Sequence, residues 1–488
     1  MPSSDPPRAA PRVDAVRYRP SVGMYRPETA VLALGDAFYD RVVPARFAKL
    51  ALRFRNDRAA LDLGLHGLSD DAWVDHFGRF RPLSANLTEP LALRYHGHQF
   101  GQYNAALGDG RGFLFAQLRD ARGRLVDLGT KGSGPTPWSR GGDGKLTLQG
   151  AVREILAAEQ LEALGVPTSR ALSVIETFES PVRHDEEAPT RGAVLVRASF
   201  SHVRFGTFQR LAHLGDAVSM ARLVEYVVRE LYPDLARARD PVFSLFDAIV
   251  TRTAEMTAAY MAAGFVHGVL NSDNMNVTGE SFDYGPWRFL PSLDPTFTAA
   301  YFDERGLYAY GRQSEASLRN VNHLADALSH VKLTVDRGTL KREYEARYRR
   351  ALRERIAWRL GVEPESPATA TALGSAVLDL LATRRIGFAE LFHDWLGGAS
   401  ATARALASPR GAVYRSDAAS AFRRALEGHR ARPVNVDGLA AEPCDLLDDE
   451  VRSIGAAITK NDDFSRLYEK VRSIRALGAR LRGETTAS

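Results

Sequence analysis

The sequence predicts an α+β protein of two lobes, a smaller β-rich N-lobe followed by a larger α-helical C-lobe. Three observations carry that expectation. Residues 112–132 read as two strands around a three-residue turn, apolar residues recur at helical spacing from about residue 206, and a polar, turn-rich loop fills residues 267–286.

Taken in order, the chain begins "MPSSDPPRAAPRVDA", which is Pro-rich and lacks the apolar centre of a signal peptide. Residues 1–84 are assigned as a lead-in and accessory segment. Residues 85–205 form a nucleotide-binding N-lobe. In it "GFLFAQLRD" and "RLVDLGTKG" are strands joined by "ARG", and "RGAVLVRAS" is a later strand. Between them "LTLQGAVREILAAEQLEALG" has helical spacing and stops at Gly165. The polar "FESPVRHDEEAPTRG" reads as a surface loop. Residues 206–435 form the helical C-lobe, with "LGDAVSMARLVEYVVRELYP", "PVFSLFDAIVTRTAEMTAAYMAAG" and "SLRNVNHLADALSHV" as helices. Residues 436–488 read as a charged, helical tail.

Composition narrows the class. Hydrophobic content of 45% and charge of 25% are those of a globular protein. The lone cysteine, Cys444, allows no intramolecular disulfide and fits a reducing cytoplasm. No run of about 18 apolar residues is present, so no membrane span is expected. The net charge of +5 comes from dispersed Arg without a basic block, which points to a solvated surface and not to nucleic acid.

Phosphate chemistry needs donors for oxygens and oxygens for a metal. "LGDGRG" offers Gly108, Gly110 and Arg111, although Gly-Asp-Gly is also a common hairpin turn. "GTKGSG" places Lys131 at a strand end, and Glu154 follows on the next helix, the pairing by which kinases fix a phosphate-gripping amine. "GGDGK" adds Asp143 and Gly144. Arg197 and Arg204 could converge on a polyphosphate or simply lie at the surface. His96 and His98 lack further ligands at zinc spacing and are assigned structural hydrogen bonds. The loop "HGVLNSDNMNVTGESFDYGP" is similar to a kinase catalytic loop. Asn274 and Asp283 supply oxygens for Mg²⁺, but Val269 occupies the position of the base. Asp273 is the neighbouring carboxylate that could replace it.

The strings "YHGHQFGQYNAALGDGRG", "DLGTKGSGPTPWSRGGDGKLTLQGAVREIL" and "GVLNSDNMNVTGESFDYGPWRFL" resemble the selenoprotein O family, whose bacterial members are also called YdiU. The resemblance implies a protein-kinase-like two-lobe fold that binds ATP reversed and transfers AMP to Ser, Thr or Tyr hydroxyls of proteins. It also implies self-modification, with UTP as an alternative donor of UMP. By motif it implies nucleotide contacts from Gly108, Gly110, Arg111, Lys131, Asp143, Gly144, Arg197, Arg204 and Asp283. Asp273 matches the proton acceptor, Asn274 and Asp283 match ligands for Mg²⁺ (or Mn²⁺), and Glu154 matches the partner of the lysine. The ending "GETTAS" departs from the redox-active C-terminus of many members, so disulfide control is not expected. The rival readings are a kinase-like phosphotransferase and a non-catalytic ATP-binding scaffold.

Overall fold

A computed structural model describes residues 22–183 and 190–484. The N-terminal lead-in at 1–15, the centre of the polar loop after Phe178 and the last four residues lie outside the described residues.

The N-terminal half is β-rich. Its strands are β1 (Pro27–Glu28), β2 (Tyr39–Arg41), β3 (Ala51–Arg55), β4 (Leu91–Leu93), β5 (Gly97–Gln99), β6 (Gln102–Asn104), β7 (Leu114–Arg119), β8 (Leu125–Lys131), β9 (Leu146–Thr147), β10 (Arg170–Glu176) and β11 (Gly192–Ser199). All but β5 and β6 join one antiparallel sheet ordered β2-β4-β7-β8-β11-β10-β3, with β1 on β7 and β9 on β11. β5 and β6 form a separate hairpin. The predicted β7–β8 hairpin is present, and Asp120 secures its turn by accepting the N–H groups of Arg122 and Arg124 at 2.9 Å each.

Alternation along the strands buries both faces of the sheet. Phe115, Val126, Leu128, Val194 and Val196 pack with Trp73 and Phe77, which lie on α2 (Asp70–Phe77), next to the short α1 (Asp57–Asp62). Leu114, Leu125, Leu195 and Val174 face the other way and pack with Ile155, Leu156 and Leu161 of α3 (Leu148–Ala163). Thr147 opens α3 by accepting the Gly150 N–H at 3.0 Å, and Gly165, at φ +76°, stops it in the left-handed region.

The C-terminal region is helical: α4 (Phe205–His213), α5 (Ala217–Leu231), α6 (Pro241–Ala263), α7 (Gln313–Leu328), α8 (Arg337–Leu360), α9 (Pro367–Ala382), α10 (Phe388–Asp394), α11 (Thr402–Ala407), α12 (Gly411–Arg415), α13 (Ser420–Glu427), α14 (Asp448–Asn461) and α15 (Ser465–Arg482). None of the described helices is long and apolar enough to cross a membrane. α6 has strong sequence punctuation: the Asp240 carboxylate accepts from Phe243 N, Pro241 opens the first turn, and Gly264 stops the helix at φ +68°. The chain then enters the long polar loop. Two short strands, β12 (Phe265–Val266) and β13 (Arg288–Phe289), pair and close that loop at its base.

The tail does not trail into solvent. α15 runs along α3, and a Cβ on Gly478 would come within 3.1 Å of Ala163. Arg475 grips the buried Glu159 with two hydrogen bonds of 2.8 and 2.6 Å, and Arg58 adds a third at 3.2 Å. Glu159 is only 3% exposed on its side chain, so it depends on these cations. Arg475→Ala should therefore cost about 1–3 kcal/mol of stability in urea unfolding. A loss too small to measure would mean that the tail does not brace α3.

Candidate active site

The site is assembled from both regions around one carboxylate. Lys131 ends β8 and pairs in register with Leu195 of β11, so Arg197, two residues on, projects from the same face of the sheet. Arg204 follows as the N-cap residue of α4. Asp283, in the loop closed by β12 and β13, meets all three. Its Oδ1 accepts from Arg197 Nη1 at 2.7 Å and lies 3.4 Å from Lys131 Nζ, while its Oδ2 accepts from Arg204 Nη1 at 2.7 Å. Lys131 Nζ also forms a short ion pair with Glu154 Oε1 on α3. Both guanidinium groups lie over the Phe282 ring, at 5.1 and 4.7 Å.

Burial would raise the Asp283 pKa, but Arg197, Arg204 and Lys131 outweigh it and hold the carboxyl well below the usual carboxylate range. Asp283 sits at φ +59°, a conformation uncommon for side chains other than Gly, Asn and Asp.

Asp273 lies on a single 3₁₀ turn, Ser272–Asn274. Its backbone carbonyl accepts from Arg204 Nη1 at 2.8 Å, so one guanidinium ties both parts of the loop to α4. Its Oδ2 accepts from Gln99 Nε2 at 3.3 Å, whereas Oδ1 is buried without a partner among the described residues. Burial is the main cause that pushes its carboxyl up to about 6, against the pull of Arg204. Asn274 donates its Nδ2 to the Val269 carbonyl at 2.9 Å, which leaves the amide Oδ1 for another partner. Asn274 Oδ1 and the Asp283 carboxylate are thus the oxygens a hard cation could use. Among the described residues no three His, Cys, Asp or Glu side chains could bind a metal by themselves.

The structure thus joins Lys131, Glu154, Arg197, Arg204 and Asp283 directly, with Asp273 and Asn274 on the adjoining turn. The other candidates have different surroundings. A Cβ on Gly108 would lie 2.3 Å from the Trp138 ring, and one on Gly110 would lie 2.8 Å from the Trp138 carbonyl oxygen. Both glycines therefore admit Trp138. Arg111 is exposed. Asp143 is exposed, with its carboxylate held by Arg183 at 2.9 Å, and Gly144 takes φ +68° against Gly134. His96 hydrogen-bonds Tyr103, and His98 hydrogen-bonds Gln209 and stacks on His323 at 3.7 Å.

Sequence reasoning missed four contributors. Gln99 holds Asp273. Asp109, whose carboxyl burial pushes up, lies 3.5 Å from Arg204. Ser272 and Gln209 hydrogen-bond at 2.6 Å and hold the turn against α4. Gln99 and Asp109 lie inside the motifs "GHQF" and "LGDG", where a polar residue between glycines was the available signal.

Three buried cations gathered with carboxylates are suited to gripping phosphate oxygens. The chain matches the family model described as "Protein adenylyltransferase SelO" over residues 24–414 and belongs to that family. A protein from Gloeobacter violaceus named "Protein nucleotidyltransferase YdiU" is 41% identical over 466 residues, covering 92% of this chain and 94% of the relative. Another of that name from Synechocystis sp. is 48% identical over 343 residues, covering 69% and 70%. The protein is a nucleotidyltransferase enzyme.

Asp283→Asn should unfold about 3 kcal/mol more easily, because it strips a buried counter-ion from two arginines. Millimolar sodium triphosphate without metal should recover part of that loss in thermal unfolding, since phosphate oxygens can replace the carboxylate. An unchanged stability would show that the cations do not depend on Asp283.

Proposed function

We propose that the enzyme transfers AMP from ATP to Ser, Thr or Tyr hydroxyls of proteins, including its own, with UTP as an alternative donor of UMP. The observation that carries this reading is the placement of Asp273. It is a buried carboxylate with one oxygen unpaired among the described residues, while the aliphatic Val269 occupies the position of a kinase base. We read the lobes as a protein-kinase-like pair, supported by the union of strand Lys131 with helix Glu154. The lone cysteine supports a cytoplasmic setting.

In this reading ATP lies reversed, with its α-phosphorus toward Asp273. Lys131, Arg197 and Arg204 share their N–H donors between Asp283 and the phosphate oxygens, and Glu154 keeps the Lys131 amine in place. Mg²⁺, or Mn²⁺ in its stead, would be held by Asn274 Oδ1 and Asp283 and would supply positive charge to the phosphates. Asp273 accepts the proton of the acceptor hydroxyl as that oxygen bonds to the α-phosphorus. The bond between the α-phosphorus and its bridging oxygen breaks, and pyrophosphate leaves with the electron pair. Val269 then needs no proton-accepting role.

Parallel assays with α- and γ-labelled ATP test the assignment. The α-label should enter protein and the γ-label should not, and Asp273→Asn should cut α-transfer by roughly 10²–10⁴-fold. Incorporation of γ-label, or undiminished transfer by Asp273→Asn, would contradict it.

A further inference from the structure

The hairpin β5–β6 carries a feature that the transfer chemistry does not use. Gln99 pairs with Gln102, so the connection is two residues long, and Phe100 at φ +51° and Gly101 at φ +81° both take positive φ. A type I′ turn of this kind favours Asn or Gly at its first position, and a bulky aromatic there is strained. The phenyl ring is 36% exposed, with one side resting on the buried Tyr308 ring at 5.0 Å. It also packs edge-on against Phe302 at 5.6 Å, and Phe302 packs edge-on against Tyr301 at 5.0 Å. Phe302 is 48% and Tyr301 86% exposed, so the three rings present an apolar surface to solvent.

This surface adjoins the base. The Phe100 N–H is bonded by Asn271 Oδ1 at 3.2 Å, two residues before Asp273, and the preceding residue, Gln99, donates to Asp273 itself. Asp273 is only 7% exposed, so an acceptor hydroxyl must be delivered into a recess. An extended segment can deliver it, because alternate side chains point inward and outward: the hydroxyl enters while its neighbours rest on the rim.

We infer that Phe100, Tyr301 and Phe302 form the docking surface for the protein acceptor, and that it takes an extended segment with an apolar side chain beside the modified hydroxyl. The inference rests on the transfer reading above.

The test uses two synthetic serine peptides that differ only in the residue beside the serine, Leu in one and Asp in the other. At saturating ATP the wild type should favour the Leu peptide in kcat/KM by about tenfold or more, as an apolar pocket discriminates. The double variant Tyr301→Ser, Phe302→Ser should lose that preference and keep the wild-type KM for ATP. Phe100→Asn should melt higher, through relief of the turn, yet transfer less to the Leu peptide. A purely structural role would not produce that opposition.

Retention of the Leu preference in the double variant would overturn the inference. So would a wild-type dimer that this variant dissociates without change in peptide kinetics, which would assign the surface to a second copy of the chain. If the wild type transfers AMP neither to peptide nor to itself, the transfer reading fails, and this inference with it. AMP transfer to both peptides at equal rates would sink the docking surface alone.

Discussion

Lys131, Arg197 and Arg204 share the single carboxylate of Asp283, and the arrangement of the site follows from that sharing. Like charges buried at such distances repel strongly where water is scarce, so the three cannot be gathered without an anion between them. The anion comes from the C-terminal loop, whereas the cations come from β8, β11 and the start of α4. The Lys131 and Arg197 pairs therefore fasten the sheet to the helical region, and the Arg204 pair fastens the loop to α4. Glu154 offsets part of the Lys131 charge, and burial raises the carboxyl pKa of both Asp109 and Asp273.

The scaffold keeps these groups in register. The β12–β13 pair closes the loop that presents Asp273 and Asp283, and Arg204 ties the two aspartates by donating to the Asp273 carbonyl and the Asp283 carboxylate. α3, which carries Glu154, is packed by the sheet on one side and by α15 on another. Displacement of α3 would move the lysine partner, so the tail bears on the site from a distance.

Much of this was legible in the chain. β7, β8, β11, α3 and α6 follow from alternation, helical spacing and the glycines that end them, and Lys131 with Glu154 follows from a strand-end lysine before an amphipathic helix. Other parts left little local trace. β1, β2 and β3 are two to five residues long and draw their identity from pairing with strands far along the chain. Arg197 and Arg204 look like any surface arginines in an Arg-rich sequence, because their burial is created only when the loop folds over them. "LGDGRG" reads equally as a phosphate loop or a turn. The packing of Trp138 against Gly108 and Gly110 accounts for the missing side chains, and spacing could not reveal it. Gln99 and Asp109 act across tertiary contacts that no helical or strand period records.

Which phosphorus of a bound nucleotide faces Asp273 separates AMP transfer from phosphate transfer. A crystal structure with Mg²⁺ and a non-hydrolysable ATP analogue would show it directly. The expected result has the α-phosphorus beside Asp273, the metal on Asn274 and Asp283, and Lys131, Arg197 and Arg204 turned in part from Asp283 onto phosphate oxygens. A γ-phosphorus at Asp273, or a nucleotide bound elsewhere with the three cations still on Asp283 alone, would contradict the account.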